Sequence, residues 1–184
     1  NLVARKGFDR LLDAAAELRA RGRAFLWVMI GRGPEAAALT ARADRLDLGG
    51  RVRFERSPLD DASLAGALAA CDVFALASRT LTSPPAMEGF GVVYAEASYL
   101  GRPVVAGQSG GVPFVVADQE TGLLVDPEGP DAGRRFAEAV ERILVDPALA
   151  RRLGTRARER ARARFDWDAN AREVLARTAP AHFP

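Results

Sequence analysis

Residues 25–54, FLWVMIGRGPEAAALTARADRLDLGGRVRF, decide the architecture. The apolar run FLWVMI reads as a buried strand and stops at the turn GRGP; residues 34 to about 46 form a helix, and VRF is a second short strand. Strand, helix and strand in so short a span are the signature of β-α units on a parallel sheet. The same alternation extends in both directions. Upstream, Phe8, Leu11, Leu12, Ala15 and Leu18 recur at helical spacing after GFD. Downstream comes a helix from Asp60 to Ala70, capped by Asp60 or Asp61, and then the strand DVFALA. A helix carrying Glu96 follows the turn GFG. The strand PVVA, a short helix begun by GGVPFVV, the strand GLLV bounded by DPEG, and two or three closing helices complete the chain. Strict alternation over this length predicts the α/β class: a doubly wound, Rossmann-like parallel sheet with helices on both faces. No repeat, low-complexity tract or linker interrupts it, so residues 1–184 are expected to form one domain.

The 184 residues are 48% hydrophobic with a formal net charge of +2, enough to bury one sizeable core. The chain starts at Asn1 without a charged head and apolar core, so no secretory signal is read, and the chain is expected to be a piece of a longer protein. No apolar run approaches the roughly 20 residues of a membrane span. The lone cysteine, Cys71, excludes a disulfide framework or a cysteine-rich zinc site. A cytoplasmic location is expected.

Acidic and basic residues are interspersed almost everywhere, which argues against a nucleic-acid partner. The exception is RRLGTRARERARARF, residues 151–165, with seven arginines against one glutamate. It reads as a solvated helix face rather than a basic arm for a membrane surface or a nucleic acid, because neither aromatic interleaving nor a base-reading motif accompanies it. The sequence also holds 25 arginines and one lysine, Lys6. A site that needs a compact point charge among phosphate oxygens would resist exchange to the planar arginine fork, which makes Lys6 informative.

The chemistry concentrates in EGFGVVYAEAS, residues 88–98. Gly89 and Gly91 let the backbone pass close to a ligand and turn into a helix whose first free amides can hold an anion. Glu88 lies just before those glycines and Glu96 more than a turn into the helix. Each acid alone is also explained as a carboxylate complementing a helix start. Together with the basic stretch ARKG they read as hydroxyl acceptors flanking a phosphate seat, which describes a nucleotide sugar.

In this order, NLVARKGFDRLLDA, IGRGPE, RVRFERSPLDD, CDVFALASR, EGFGVVYAEAS, GRPVVAGQSGGVP, ETGLLVDP and FDWDANA, the sequence resembles the family-four retaining glycosyltransferases of the two-domain GT-B fold. The resemblance covers nearly the whole chain, and the spacing from SR to EGFG is similar to that of GDP-mannose-dependent mannosyltransferases. It implies the C-terminal, donor-binding half of a hexosyltransferase that works without a metal on a GDP- or UDP-linked sugar. The acceptor site would lie in an N-terminal half of the same protein, and this half alone would be inactive. The resemblance places Arg5 and Lys6 on the donor diphosphate and Glu88 on hydroxyls of the transferred sugar. It puts Gly89, Phe90, Gly91 and Val92 on the distal phosphate and sugar, Glu96 on the ribose, and Pro58 or Ser57 on the base. Lys6 and Glu88 would serve the transfer itself. Gly31 and Gly33 shape a neighbouring loop or simply end a strand.

Two positions depart from the family pattern. Asn1 stands where many members have a phosphate-binding arginine, a role Arg5 or Arg32 would have to fill, and Phe114 stands where a glutamate usually follows GGVP, read as a local packing change. The only histidine, His182, lies in a polar tail, so no Ser-His-Asp set can be assembled. That suits a reaction in which the leaving phosphate assists deprotonation of the acceptor. Two other readings stand beside this one: a non-catalytic domain of the same fold, and a dinucleotide-binding oxidoreductase domain built on IGRGPEA, with Asp47 or Arg51 on a ribose.

Overall fold

A computed structural model of the chain describes residues 1–166, 168, 171, 172, 175 and 176. His182 and part of FDWDANA (Trp167, Ala169 and Asn170) lie outside them. A 3₁₀ turn, Ala4–Lys6, is closed by Gly7 in the left-handed conformation, φ 64°. It leads into α1 (Phe8–Ala20), β1 (Trp27–Ile30), α2 (Ala36–Arg45), β2 (Val52–Glu55), α3 (Asp61–Ala70) and β3 (Phe74–Leu76). A small hairpin, β4 (Leu81–Thr82) and β5 (Pro85–Ala86), precedes α4 (Val92–Tyr99) and β6 (Val104–Gly107). Then come α5 (Val112–Val115), β7 (Gly122–Val125), α6 (Ala132–Val145) and α7 (Pro147–Arg164). The five strands expected from sequence are all present, and Asp60 is the cap of α3, its carboxylate accepting from the Ser63 amide at 2.7 Å.

All long ladders are parallel, as β-α-β connections require. They form two blocks, β1 with β2, and β3–β6–β7 with β6 in the middle. Backbone bonds from the N-terminal stretch span the gap between the blocks. The Leu2 amide donates to the Arg32 carbonyl just past β1 at 2.6 Å, and the Arg79 amide just past β3 donates to the Arg5 carbonyl at 2.8 Å. Leu2 is accordingly fully buried. FLWVMI is not the buried strand its composition suggests. Met29 is buried, but Leu26 is 62% exposed and Val28 43% exposed. Among the described residues β1 has one ladder neighbour, and the face that carries Val28 is only partly covered. In contrast, all four residues of β6 are buried.

Helices cover the β3–β6–β7 block. The buried face of α1 (Leu11, Leu12, Ala14, Ala15 and Leu18) packs against α6, whose Phe136, Ala137, Val140 and Ile143 are buried in turn. The two helices approach closely at Gly133, where a Cβ would lie 2.4 Å from the Asp13 Cβ. The arginine-rich segment is α7, and several of its guanidiniums tie the helix to neighbouring carbonyls. Arg152 donates to Gln119 O, Arg158 to Leu100 O and Arg160 to Phe114 O, at 3.1, 2.8 and 2.8 Å, while Arg162 lies over the Tyr99 ring.

The break between α6 and α7 is made by Asp146 and Pro147. Asp146 accepts from the amides of Ala148 and Leu149 at 3.0 and 2.9 Å, and proline at the first helical position forfeits no hydrogen bond. Asp146→Ala should therefore lower stability by about 1 kcal/mol, read from the urea midpoint, with the folded spectrum unchanged.

Candidate active site

Four segments converge at the carboxyl ends of β3 and β6: the Arg5–Lys6 turn, Ser78–Arg79, the Glu88–Gly91 loop and the Ser109–Gly111 turn. They meet backbone to backbone. A Cβ on Gly7 would lie 2.0 Å from Ala77 O, one on Gly107 2.2 Å from Ser78 O, and one on Gly110 1.9 Å from Glu88 O. The Gly111 amide donates to the Glu88 carbonyl at 3.0 Å, and Thr80 and Ser109 share a hydroxyl contact at 3.0 Å. Only residues without side chains allow this approach, and it fixes the backbone on which Glu88 rides.

At the centre, Lys6 Nζ stands 2.5 Å from Glu88 Oε2, with Arg5 at 3.4 Å from the same oxygen. Ser78 Oγ donates to it at 3.1 Å, and the Tyr94 phenol lies 2.9 Å from Ser78 Oγ. Glu88 is 6% exposed, and Ser78 and Tyr94 are fully buried. Burial pulls the Glu88 carboxyl upward, but the Lys6 hydrogen bond and charge, the Ser78 hydroxyl and the Arg5 charge together outweigh it and leave it below its ordinary value. The glutamate is thus held ionised. The Tyr94 phenol moves the other way, pushed up chiefly by burial.

Next to this pair, α4 begins. Gly91 is its cap, in the left-handed conformation at φ 82°. Among the described residues, the amides of Gly89, Phe90, Gly91 and Val92 donate to no acceptor. Gly89, Phe90 and Val92 are exposed. A helix start with free amides beside a lysine and an arginine is a seat for an anion, and the ionised Glu88 can accept from hydroxyls next to it. Phe90 leans away from this cluster into an aromatic trio with Phe114 and Phe165, ring centroids 5.3 to 6.0 Å apart. That accounts for the phenylalanine at position 114 as packing.

The structure therefore joins Arg5, Lys6, Glu88 and the Gly89–Val92 amides into one constellation. Other expected residues are not tied to it. Glu96 lies in the second turn of α4, exposed and without a side-chain partner among the described residues, so the buried acid of the pair is Glu88. Ser57 and Pro58 are exposed just beyond β2, with the Ser57 amide donating to Glu55 at 2.9 Å. Arg32 is engaged elsewhere, donating to Arg56 O at 2.6 Å, so of the two arginines considered for the diphosphate only Arg5 reaches the cluster. The GRG turn is packed by the chain's own backbone: a Cβ on Gly33 would meet Leu2 O at 2.2 Å, and the helix that follows is capped by an acid, Glu35. Ser78 and Tyr94 were not legible as site residues. SR and VVY carry no catalytic pattern, and only the fold brings them to Glu88. Among the described residues no cluster of three His, Cys, Asp or Glu could hold a metal ion, and no helix is long and apolar enough to cross a membrane.

A profile of the family described as glycosyl transferases group 1 matches residues 1–160. A GDP-mannose-dependent alpha-(1-6)-phosphatidylinositol monomannoside mannosyltransferase of Mycobacterium tuberculosis is 37% identical over 173 residues, covering 94% of this chain and 44% of that protein. Among solved structures, sucrose-phosphate synthase from Thermosynechococcus elongatus superposes with a TM-score of 0.78 at 33% identity, covering 96% of this chain and 44% of the other. HepE of Anabaena, solved in complex with UDP-glucose, gives a TM-score of 0.81 at 27% identity, covering 99% of this chain and 47% of the other. The chain thus spans a little under half the length of these relatives.

Proposed function

This chain belongs to the glycosyl transferases of group 1, and we propose that it is the C-terminal, donor-binding half of a retaining hexosyltransferase. Residues 1–184 form the nucleotide-sugar domain, and the acceptor site belongs to an N-terminal half of the same protein. The observation that carries this reading is the Lys6–Glu88 pair set against the unpartnered amides of Gly89–Val92. A diphosphate seated on those amides is neutralised by Lys6 and Arg5, so no metal is needed for the leaving group. Glu88 accepts from hydroxyls of the transferred sugar and Glu96 from the ribose, with the base toward Ser57–Pro58. The donor is a GDP- or UDP-hexose, and the mannosyltransferase relative supports GDP-mannose first. The acceptor is a glycan, a lipid or a small molecule, and a lipid acceptor would bring the cytoplasmic protein to the membrane surface.

In the reaction the bond between the sugar's anomeric carbon and the diphosphate oxygen breaks while the acceptor oxygen bonds to that carbon on the same face. The acceptor's proton passes to the departing phosphate. This chain's residues supply position and charge: Lys6 and Arg5 stabilise the negative charge developing on the diphosphate, and Glu88 fixes the sugar.

Thermal denaturation in the presence of GDP, UDP or NADH, each added separately, tests the proposal. Stabilisation by GDP or UDP, rising with nucleotide concentration as one-site linkage requires, is the expected result. Stabilisation by NADH alone would overturn the transferase reading, and no stabilisation by any of the three would support a non-catalytic domain of the same fold.

A further inference from the structure

The protein contacts of the Glu88 carboxylate are one-sided. Lys6, Arg5 and Ser78 all reach Oε2, and among the described residues nothing donates to Oε1. The protons along the buried side can be placed. Lysine and arginine only donate, and an ionised carboxylate only accepts, so the single Ser78 hydroxyl proton points to Glu88 Oε2. Ser78 Oγ then remains an acceptor 2.9 Å from the Tyr94 oxygen, which is also 2.9 Å from Leu76 O. With the Ser78 proton committed to Glu88, a bond between the two hydroxyls draws on the Tyr94 phenol, whose single proton faces both Ser78 Oγ and Leu76 O. The result is a buried chain behind the carboxylate: Ser78 donates to Glu88, and Tyr94, held between Leu76 O and Ser78, backs Ser78.

We propose that Ser78 and Tyr94 are positioning residues of the transfer: they anchor Oε2 from the interior so that Oε1 is presented to a hydroxyl of the donor sugar. The inference rests on the donor-site reading above. A carboxylate anchored by cations alone would loosen when Lys6 and Arg5 are shared with an incoming diphosphate. The neutral Ser78 hydroxyl, fully buried and backed by Tyr94, has no such competing partner. It therefore holds Glu88 at the moment when sugar and phosphate are both in place.

The test measures, in the full-length protein carrying this chain, affinities for GDP-mannose against GDP and for UDP-glucose against UDP by calorimetry, together with the turnover number. The expected result is that Ser78→Ala lowers the preferred sugar nucleotide's affinity or turnover about tenfold, the scale of a hydrogen bond to a charged group. Affinity for the free nucleoside diphosphate stays within about twofold, since that ligand lacks the sugar. Tyr94→Phe gives a smaller loss of the same kind, and the double variant is no worse than Ser78→Ala, as residues acting through one chain require. Ser78→Ala with a lowered melting temperature but an unchanged ratio of sugar nucleotide to nucleotide affinity, and unchanged turnover, overturns the inference. Should Ser78→Ala not fold, Tyr94→Phe decides alone, and unchanged ratio and turnover there overturn it. Glu88→Gln separates the two levels: if it abolishes the preference for the sugar nucleotide while Ser78→Ala does not, the donor site stands and the positioning role falls. A wild type that binds neither sugar nucleotide overturns both.

Discussion

Lys6→Met in the full-length protein should lower transfer by about 10²–10³-fold, equivalent to roughly 3–4 kcal/mol of lost transition-state stabilisation. Methionine keeps much of the length and the packing of the stem, so the loss isolates the ammonium. That ammonium sits 2.5 Å from Glu88 on a side chain only 16% exposed, where its field is poorly screened and where charge develops as the diphosphate departs. Arg5 does not replace it, being farther from Glu88 at 3.4 Å and 35% exposed. Lys6→Arg should rescue incompletely, because the planar fork cannot occupy the place of a point charge. The variant also reads out in pH. In the wild type the Glu88 carboxyl is held below its ordinary value, so the ion pair's stabilisation is fully present above that ordinary value and is lost as pH falls through the depressed one. Without Lys6 the remaining causes leave burial, which raises the carboxyl, less opposed. The acid limb of donor binding should therefore move to higher pH. Steady-state turnover and calorimetric GDP-mannose affinity, followed across pH, check both parts.

Gly110→Ala should destabilise the chain by more than about 3 kcal/mol, enough to threaten folding, through a backbone clash joined to an unfavourable conformation. Position 110 has φ +52°, and a Cβ there would sit 1.9 Å from the carbonyl oxygen of Glu88, a backbone atom with no flexible end to yield. The neighbouring Gly111 faces Gly89 O at 2.0 Å, so the turn after β6 cannot relax by sliding along the same loop. Gly129→Ala is the control. It shares a positive φ of +77° but meets nothing within 4 Å, so it carries only the conformational cost of about 1–2 kcal/mol. Urea denaturation of the two variants separates contact from conformation. Any folded Gly110→Ala protein should also lose donor binding, since the displaced carbonyl belongs to Glu88.

The helices and strands were legible because burial imposes periodicity on them. Leu11, Leu12, Ala15 and Leu18 mark the face of α1 that packs on α6, and Asp60 caps the helix it was expected to cap. The glycines of EGFG were legible as places where the backbone nears a ligand, whereas the close approach of Gly7, Gly110 and Gly111 to the backbone at Ala77, Glu88 and Gly89 is visible only in the fold. The hairpin β4–β5 left no pattern because its strands are two residues long and one contains proline. The exposure of Leu26 and Val28 was hidden because an apolar strand reads the same whether one face or two are covered.

Within the site, composition singled out Lys6 and glycine spacing singled out Glu88. Their direct pairing bridges 82 positions and depends on the Gly7 turn reaching β3. Ser78 and Tyr94 bear on Glu88 through burial and proton direction, properties that no local string encodes. The difference between Glu88 and Glu96 is of the same kind. The two glutamates look equivalent in EGFGVVYAE, but the loop places one against a lysine and the helix leaves the other to solvent.

In the proposed donor site the Lys6–Glu88 crevice holds the diphosphate and sugar of a nucleotide sugar. The measurement that meets this placement most directly is a crystal structure of the full-length protein with GDP-mannose bound. Diphosphate oxygens are expected on the amides of Gly89–Val92, with Lys6 Nζ at about 3 Å from one of them and Glu88 Oε1 accepting from a mannose hydroxyl. A diphosphate lodged instead at the Gly31–Gly33 turn, or a mannose with no contact to Glu88, would contradict it.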